Sequence, residues 1–322
     1  MKLQKLLALA ALLCVCVAPA RAGVMPVFIV AGQSNATGYA TNSAVLSAPW
    51  QAAQPNVLYS GEGGTAVNWV PLHAPTQTQT TLYWGSGFGP ELTLGQTISS
   101  LTGNKPVGIV KYAVNGSDLV HDWNPQYFTD PYYHPGANNY NYLKSRVTDS
   151  LTNLPFQQGG ATGKVAAFFW MQGESDALQG RTTAQYEADL TNFIATVRTD
   201  YGANLPFIFG LINNADSVFN QPGVTFSGPN TAAIRQAQKD IASASSNPAF
   251  SLGHLIPNTY LVDTDTFARD NASDLLHFNN QGIMDLGTAF AQQYVNTIPE
   301  PATLSLLPLM AMLLVRRKTV RR

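Results

Sequence analysis

The chain has 322 residues, with 18 Lys and Arg against 19 Asp and Glu and a formal net charge of −1. That balance hides an asymmetry: eight of the basic residues lie within positions 1–22 and 316–322, so residues 23–298 carry 10 basic and 18 acidic side chains, net −8. An acidic body of this kind argues against nucleic acid as a partner. Lys2 and Lys5 precede an apolar run from Leu6 to Val17, and Ala20-Arg21-Ala22 supplies small residues before Gly23, the layout of an export signal over residues 1–22. The only cysteines, Cys14 and Cys16, fall inside it, so cleavage leaves neither disulfides nor cysteine-ligated metal.

From Gly23 onward the periodicity alternates between strand and helix. Val27-Phe28-Ile29-Val30-Ala31 reads as a strand buried on both faces, ended by Gly32, with Ser34 at its tip. Alone, Gly32-Gln33-Ser34-Asn35 reads equally as a nucleophile turn or as a polar turn in which Ser34 caps the next segment. A Gln- and Thr-rich stretch with Trp50, Trp69 and Trp84 reads as long loops around a short strand near Val57-Leu58-Tyr59. Gly89-Pro90-Glu91 opens a helix through Ser100, with Glu91 as its first-turn acid, and Gly103-Asn104 stops it. Val107 to Tyr112 is the next strand, running into Asn115-Gly116-Ser117-Asp118, and a helix follows from about Tyr140 to Leu154. Val165 to Trp170 is a buried strand delivering Gln172-Gly173-Glu174-Ser175-Asp176. Tyr186, Leu190, Phe193, Ile194 and Val197 recur at helical spacing within Thr183–Tyr201. Phe207 to Ile212, Thr231 to Ala242 and Tyr260 to Asp263 continue as strand, helix and strand; Asp274-Leu275-Leu276-His277 then precedes a last helix, Asn280 to Val295. This rhythm predicts one α/β domain over residues 23–298, its central parallel sheet covered on both faces and its polar motifs gathered along the carboxyl edge.

Ester hydrolysis needs a nucleophile, a base, a group that orients the base and donors for the oxyanion, and each has a candidate. Ser34 is the nucleophile and His277 the base, with Asp274 three residues upstream to fix its tautomer. The Ser34 and Gly116 N–H groups and the Gln172 side-chain amide are the candidate oxyanion donors. Asn115 and Trp123 are candidate substrate contacts, and the aromatics between Trp123 and Tyr142 suit either sugar stacking or a packed loop. His73, His121, His134 and His254 have no partner at metal-ligand spacing. Asp263-Thr264-Asp265 lacks the oxygen ligand and glycine that a calcium loop requires at the following positions, so it reads as a strand end, and no metal is expected. Glu174 and Asp176 could form a glycosidase carboxylate pair but read better as loop-bracing groups beneath the nucleophile.

The segments Gly32-Gln33-Ser34-Asn35, Asn115-Gly116-Ser117-Asp118 with Trp123, Trp170-Met171-Gln172-Gly173-Glu174-Ser175-Asp176 and Asp274-Leu275-Leu276-His277-Phe278-Asn279 occur together and in order. In this the chain resembles the SGNH hydrolases, and within them the branch of sialate O-acetylesterase and the acetylxylan esterases of carbohydrate esterase family 6. The resemblance implies a three-layer α/β/α, flavodoxin-like fold, no cofactor, and removal of acetyl groups from a carbohydrate such as a polysaccharide or a sialic-acid-like glycan. A non-catalytic carbohydrate-binding matrix protein and a broader lipase or arylesterase are the alternatives. Gln172 stands where general SGNH enzymes have asparagine, Ala36 where the branch usually has methionine, and Asn115 where it has glycine.

The tail, Pro299-Glu300-Pro301, an apolar run from Leu304 to Val315 and a basic cluster from Arg316 to Arg322, resembles the PEP-CTERM sorting signal of exported bacterial proteins. It implies exosortase-type processing of residues 299–322, transient membrane association through the tail, and a place at the cell surface or in the extracellular matrix of a Gram-negative bacterium.

Overall fold

The computed structural model describes residues 23–61, 68–76, 86–125, 138–214, 230–271 and 274–298. Residues 1–22 and 299–322, read above as an export signal and a sorting tail, lie outside the described residues, as do Trp84, Tyr127, Phe128, Tyr132, Tyr133 and His134. The centre of the fold is β1 (Val24–Gly32), bonded in parallel to β4 (Val107–Ala113) on one side and β5 (Thr162–Met171) on the other. Phe28, Ile29, Val30 and Ala31 are buried because both sheet faces are covered above them, which explains a continuous apolar run in place of an alternating one. Beyond β5 come β6 (Phe207–Gly210), β8 (Thr259–Val262) and the two-residue β7 (Ala244–Ser245); beyond β4 come β2 (Gln54–Ser60) and β3 (Val70–Leu72).

Taken by themselves, β4-β1-β5-β6-β8 have the 2-1-3-4-5 order of flavodoxin-like sheets, whose switch point lies between the first and third of those strands in sequence, here β1 and β5. The sheet departs from the expected all-parallel form at one edge, where β3 runs antiparallel to β2. A short edge strand of that kind is common on large parallel sheets.

Successive residues of β5 serve opposite layers. Phe168 and Trp170 pack on Phe193 of the helix Thr183–Tyr201, while Phe169 packs on Phe290 of the helix Asn280–Thr297. That second layer also holds the helix Glu91–Leu101; the first holds Asn139–Gln157 and Thr231–Ile241. The five apolar positions of Thr183–Tyr201 are all buried, and a Thr182/Gln185 capping box fixes its start. Trp69 lies in a loop, as expected, but is buried in the core and not at the surface, its Nε1 donating to the Ser150 carbonyl at 2.8 Å.

Candidate active site

The β1 strand ends because Gly32 turns at φ 136°, a left-handed geometry in which a Cβ would strike the Met171 carbonyl of β5. A single helical turn, α1 (Ser34–Thr37), follows at once and puts Ser34 at the carboxyl edge. Gln33 ties this turn to the next strand: its Oε1 accepts from the N–H groups of Gly173 (3.3 Å) and Ser175 (3.2 Å) at the start of the short helix Glu174–Leu178. Beneath the turn, Lys111 of β4 donates to the Thr37 carbonyl at 3.0 Å and pairs with fully buried Glu91 at 2.9 Å. Glu91 also accepts from the Gly89 N–H and the Thr76 hydroxyl, so the acid expected to serve a helix dipole is half of a buried ion pair. A lone lysine in the apolar strand Val-Gly-Ile-Val-Lys-Tyr-Ala was the available signal for it.

Asp274 and His277 do not sit at the end of a sheet strand, as expected. They lie on β10 (Asp274–Phe278), which forms a separate antiparallel hairpin with β9 (Arg269–Asn271). Asn35 fastens that hairpin to the Ser34 turn. Its Nδ2 donates to the Leu276 carbonyl (3.2 Å) and to Glu174 Oε1 (2.8 Å), and its Oδ1 accepts from the Phe278 N–H (3.0 Å). Asn213, just beyond β6, adds a bond from its Nδ2 to the Leu275 carbonyl at 2.8 Å.

With both pieces held, Ser34 Oγ lies 3.0 Å from His277 Nε2, and His277 Nδ1 lies 2.8 Å from Asp274 Oδ2. The other Asp274 oxygen accepts from the backbone N–H groups of Leu276 and His277, both at 3.1 Å. Burial pushes the Asp274 carboxyl upward, but the His277 side chain and these backbone donors outweigh it and hold the group below its ordinary value. An ionised Asp274 accepts a hydrogen bond from Nδ1–H and so keeps the proton on that nitrogen, leaving Nε2 to accept from the serine hydroxyl. Among the described residues, neither the Ser34 N–H nor the Gly116 N–H has a hydrogen-bond partner. Gly116 is exposed on the turn after β4 at φ 70°, with open space where a side chain would stand.

The family model described as carbohydrate esterase, sialic acid-specific acetylesterase, matches residues 24–296. The chain belongs to this family. Among solved structures it resembles a protein of Arabidopsis thaliana (TM-score 0.59, 21% identity, covering 84% of this chain and 98% of that one) and NanS (0.56, 16%, 85% and 97%). It also resembles a carbohydrate acetylesterase from Xanthomonas citri (0.54, 18%, 85% and 57%). At such identities the likeness speaks for the α/β fold. No curated protein matches the sequence.

Against this carbohydrate esterase background, two expected roles do not fit the geometry. Trp123 is fully buried; its ring packs edge-on to Trp170 with centroids 5.0 Å apart, and its Nε1 donates to Ser117 Oγ at 2.8 Å. It is a core residue that braces the Gly116–Ser117 turn, not a stacking platform for a sugar. Gln172 is also fully buried, and its amide nitrogen is bonded to Asp176 and, at 3.3 Å, to the Ser117 carbonyl, while its Oε1 accepts from Tyr186 at 3.1 Å. Both amide hydrogens are therefore spent, one on the Ser117 carbonyl and one on Asp176, which leaves the backbone donors to serve an oxyanion. Asn115 is half-buried, its Oδ1 2.6 Å from the Thr37 hydroxyl.

Glu174 and Asp176 brace loops, as expected. Glu174 is wholly buried on Asn35, and burial raises its carboxyl despite the Asn35 bond. Asp176 accepts from the Leu119 N–H at 3.0 Å; burial, offset in part by Gln172 and reinforced by the neighbouring Asp118 charge, pushes it up to about 7. Asp265 is taken by a bidentate pairing with Arg235, and Asp263 by Asn247, consistent with a strand end.

Proposed function

We propose that the protein is a serine esterase that removes O-acetyl groups from a carbohydrate. Ser34 Oγ attacks the acetyl carbonyl as His277 Nε2 takes its proton, and Asp274 holds the resulting imidazolium. The Ser34 and Gly116 N–H groups receive the developing oxyanion. Collapse expels the sugar alkoxide, which takes the proton from His277; water, deprotonated by the same imidazole, then releases acetate and restores Ser34. The observation that carries this reading is the continuous chain Ser34–His277–Asp274, with contacts of 3.0 and 2.8 Å beside two unpaired N–H donors. Membership of the carbohydrate esterase family supports the substrate class. A polysaccharide or sialic-acid-like glycan of the envelope is the natural target on this reading, reached after export through the leader and sorting through the PEP-CTERM-like tail.

The test is release of acetate from acetylated polysaccharides and from a small acetyl ester. The wild-type protein turns both over, and Ser34→Ala loses about 10⁴-fold or more in kcat with an unchanged melting temperature. Full turnover in Ser34→Ala would refute the assignment.

A further inference from the structure

Both ring nitrogens of His277 are engaged in the plane of the imidazole, one on Asp274 and one on Ser34. What remains is its face, and the ring of Tyr39 covers one side of it, with centroids 4.5 Å apart and planes inclined by 39°. The contact is built into the nucleophile turn. Gly38 closes α1 in the left-handed region at φ 86°, and the Tyr39 N–H donates to the Ser34 carbonyl at 3.0 Å. Thr41 then locks the segment down, its hydroxyl bonding the Gly38 and Phe88 carbonyls at 2.7 and 2.8 Å and receiving the Phe88 N–H at 2.8 Å. The Tyr39 backbone is therefore tied to that of Ser34, and its ring starts from a fixed point beside the imidazole. At 38% exposure its other side faces outward.

We propose that Tyr39 is a positioning residue for the esterase reaction: its ring face holds the His277 plane toward Ser34 and stabilises the imidazolium formed when the serine proton is transferred. An aromatic face is the negative end of the ring quadrupole and attracts a cation lying over it. The other ionisable groups around the imidazole leave that role open. Asp274 lies in the ring plane and Glu174 is the buried carboxyl behind Asn35, while Arg269 is turned onto the Phe278 ring at 4.0 Å. The attraction exists only while His277 is charged, so it acts on the chemical step and not on substrate binding.

This inference rests on the roles given to Ser34 and His277 above, and a substitution series separates the two. Against a small acetyl ester, Tyr39→Leu, which keeps bulk but removes the π face, should lower kcat by about three- to tenfold with KM within about twofold. Tyr39→Phe should stay within about twofold of wild type, and Tyr39→Trp should match or exceed it, since indole is the better cation partner. A Leu variant as fast as wild type, a loss carried by KM, or a Phe variant as slow as Leu would each overturn the proposal. Turnover that survives Ser34→Ala would instead overturn the reading beneath it.

Discussion

The molecule contains the same local device twice. Asp118-Leu119-Val120-His121 and Asp274-Leu275-Leu276-His277 each fold so that one carboxylate oxygen accepts the histidine backbone N–H, at 2.7 and 3.1 Å, and the other meets its Nδ1, at 3.0 and 2.8 Å. In both, the aspartate is held below its ordinary value against the upward push of burial. Only the surroundings differ. Asp118 is further committed to Gln179 at 2.6 Å and to the Asp122 N–H at 3.2 Å, so its segment works as a brace for the Gly116 turn. His277 instead meets a serine that Gln33, Asn35 and Lys111 hold in place. An oriented histidine is thus a structural motif unless a second element brings a hydroxyl to its other nitrogen.

Removing the two imidazoles should break the parallel most sharply. His277→Ala should lower kcat for a small acetyl ester by about 10⁴- to 10⁶-fold, the scale on which a missing base disables a serine hydrolase, whereas His121→Ala should stay within about threefold. Exchanging the two acids comes next. Asp274→Asn should cost about 10³- to 10⁴-fold by favouring the wrong tautomer, and Asp118→Asn should leave kcat nearly intact while losing about 1–3 kcal/mol of stability measured by urea titration. Equal kinetic losses in either pair would show that the first dyad also takes part in catalysis.

How much of this could be read from the residues depended on the range of each contact. Strands β1, β4 and β5 were legible because runs such as Val27–Ala31 and Val165–Trp170 are apolar without interruption, and Ser34, Asp274 and His277 stood out by residue type and order. The hairpin that carries His277 was not legible, since β9 is three polar residues and β10 only five, too short to show a strand period. Trp123 looked like a sugar platform because an aromatic beside polar loops gives no sign of whether a helix will cover it; Phe193 of Thr183–Tyr201 does. Tyr39 gave no sequence signal, because its partner lies 238 positions away and neither residue marks the other.

The support under the Ser34 turn should show as stability before activity. Lys111→Met strands Glu91 in the core without a cation and removes the donor on the Thr37 carbonyl, so a loss of about 3–5 kcal/mol is expected by urea titration. Smaller effects come from pH. Asp176 keeps its proton up to about 7 when folded but loses it near 3.8 when unfolded, so the native state binds the extra proton between those values. Stability should therefore fall as pH rises from about 4 to about 7, with Glu174 acting in the same sense. Asp118 and Asp274, lowered in the fold, act oppositely: their contribution is present above about 3.8 and is lost as the medium is acidified through their folded values. Thermal melts across this range should show both limbs, and Asp176→Asn should flatten the upper one.

The most direct measurement is covalent labelling with a fluorophosphonate, followed by peptide mass spectrometry. One equivalent of label on Ser34 in the wild-type protein, abolished by His277→Ala and retained in His121→Ala, is the expected result. No label on Ser34, or labelling that persists without His277, would contradict the assignment of this serine as the nucleophile.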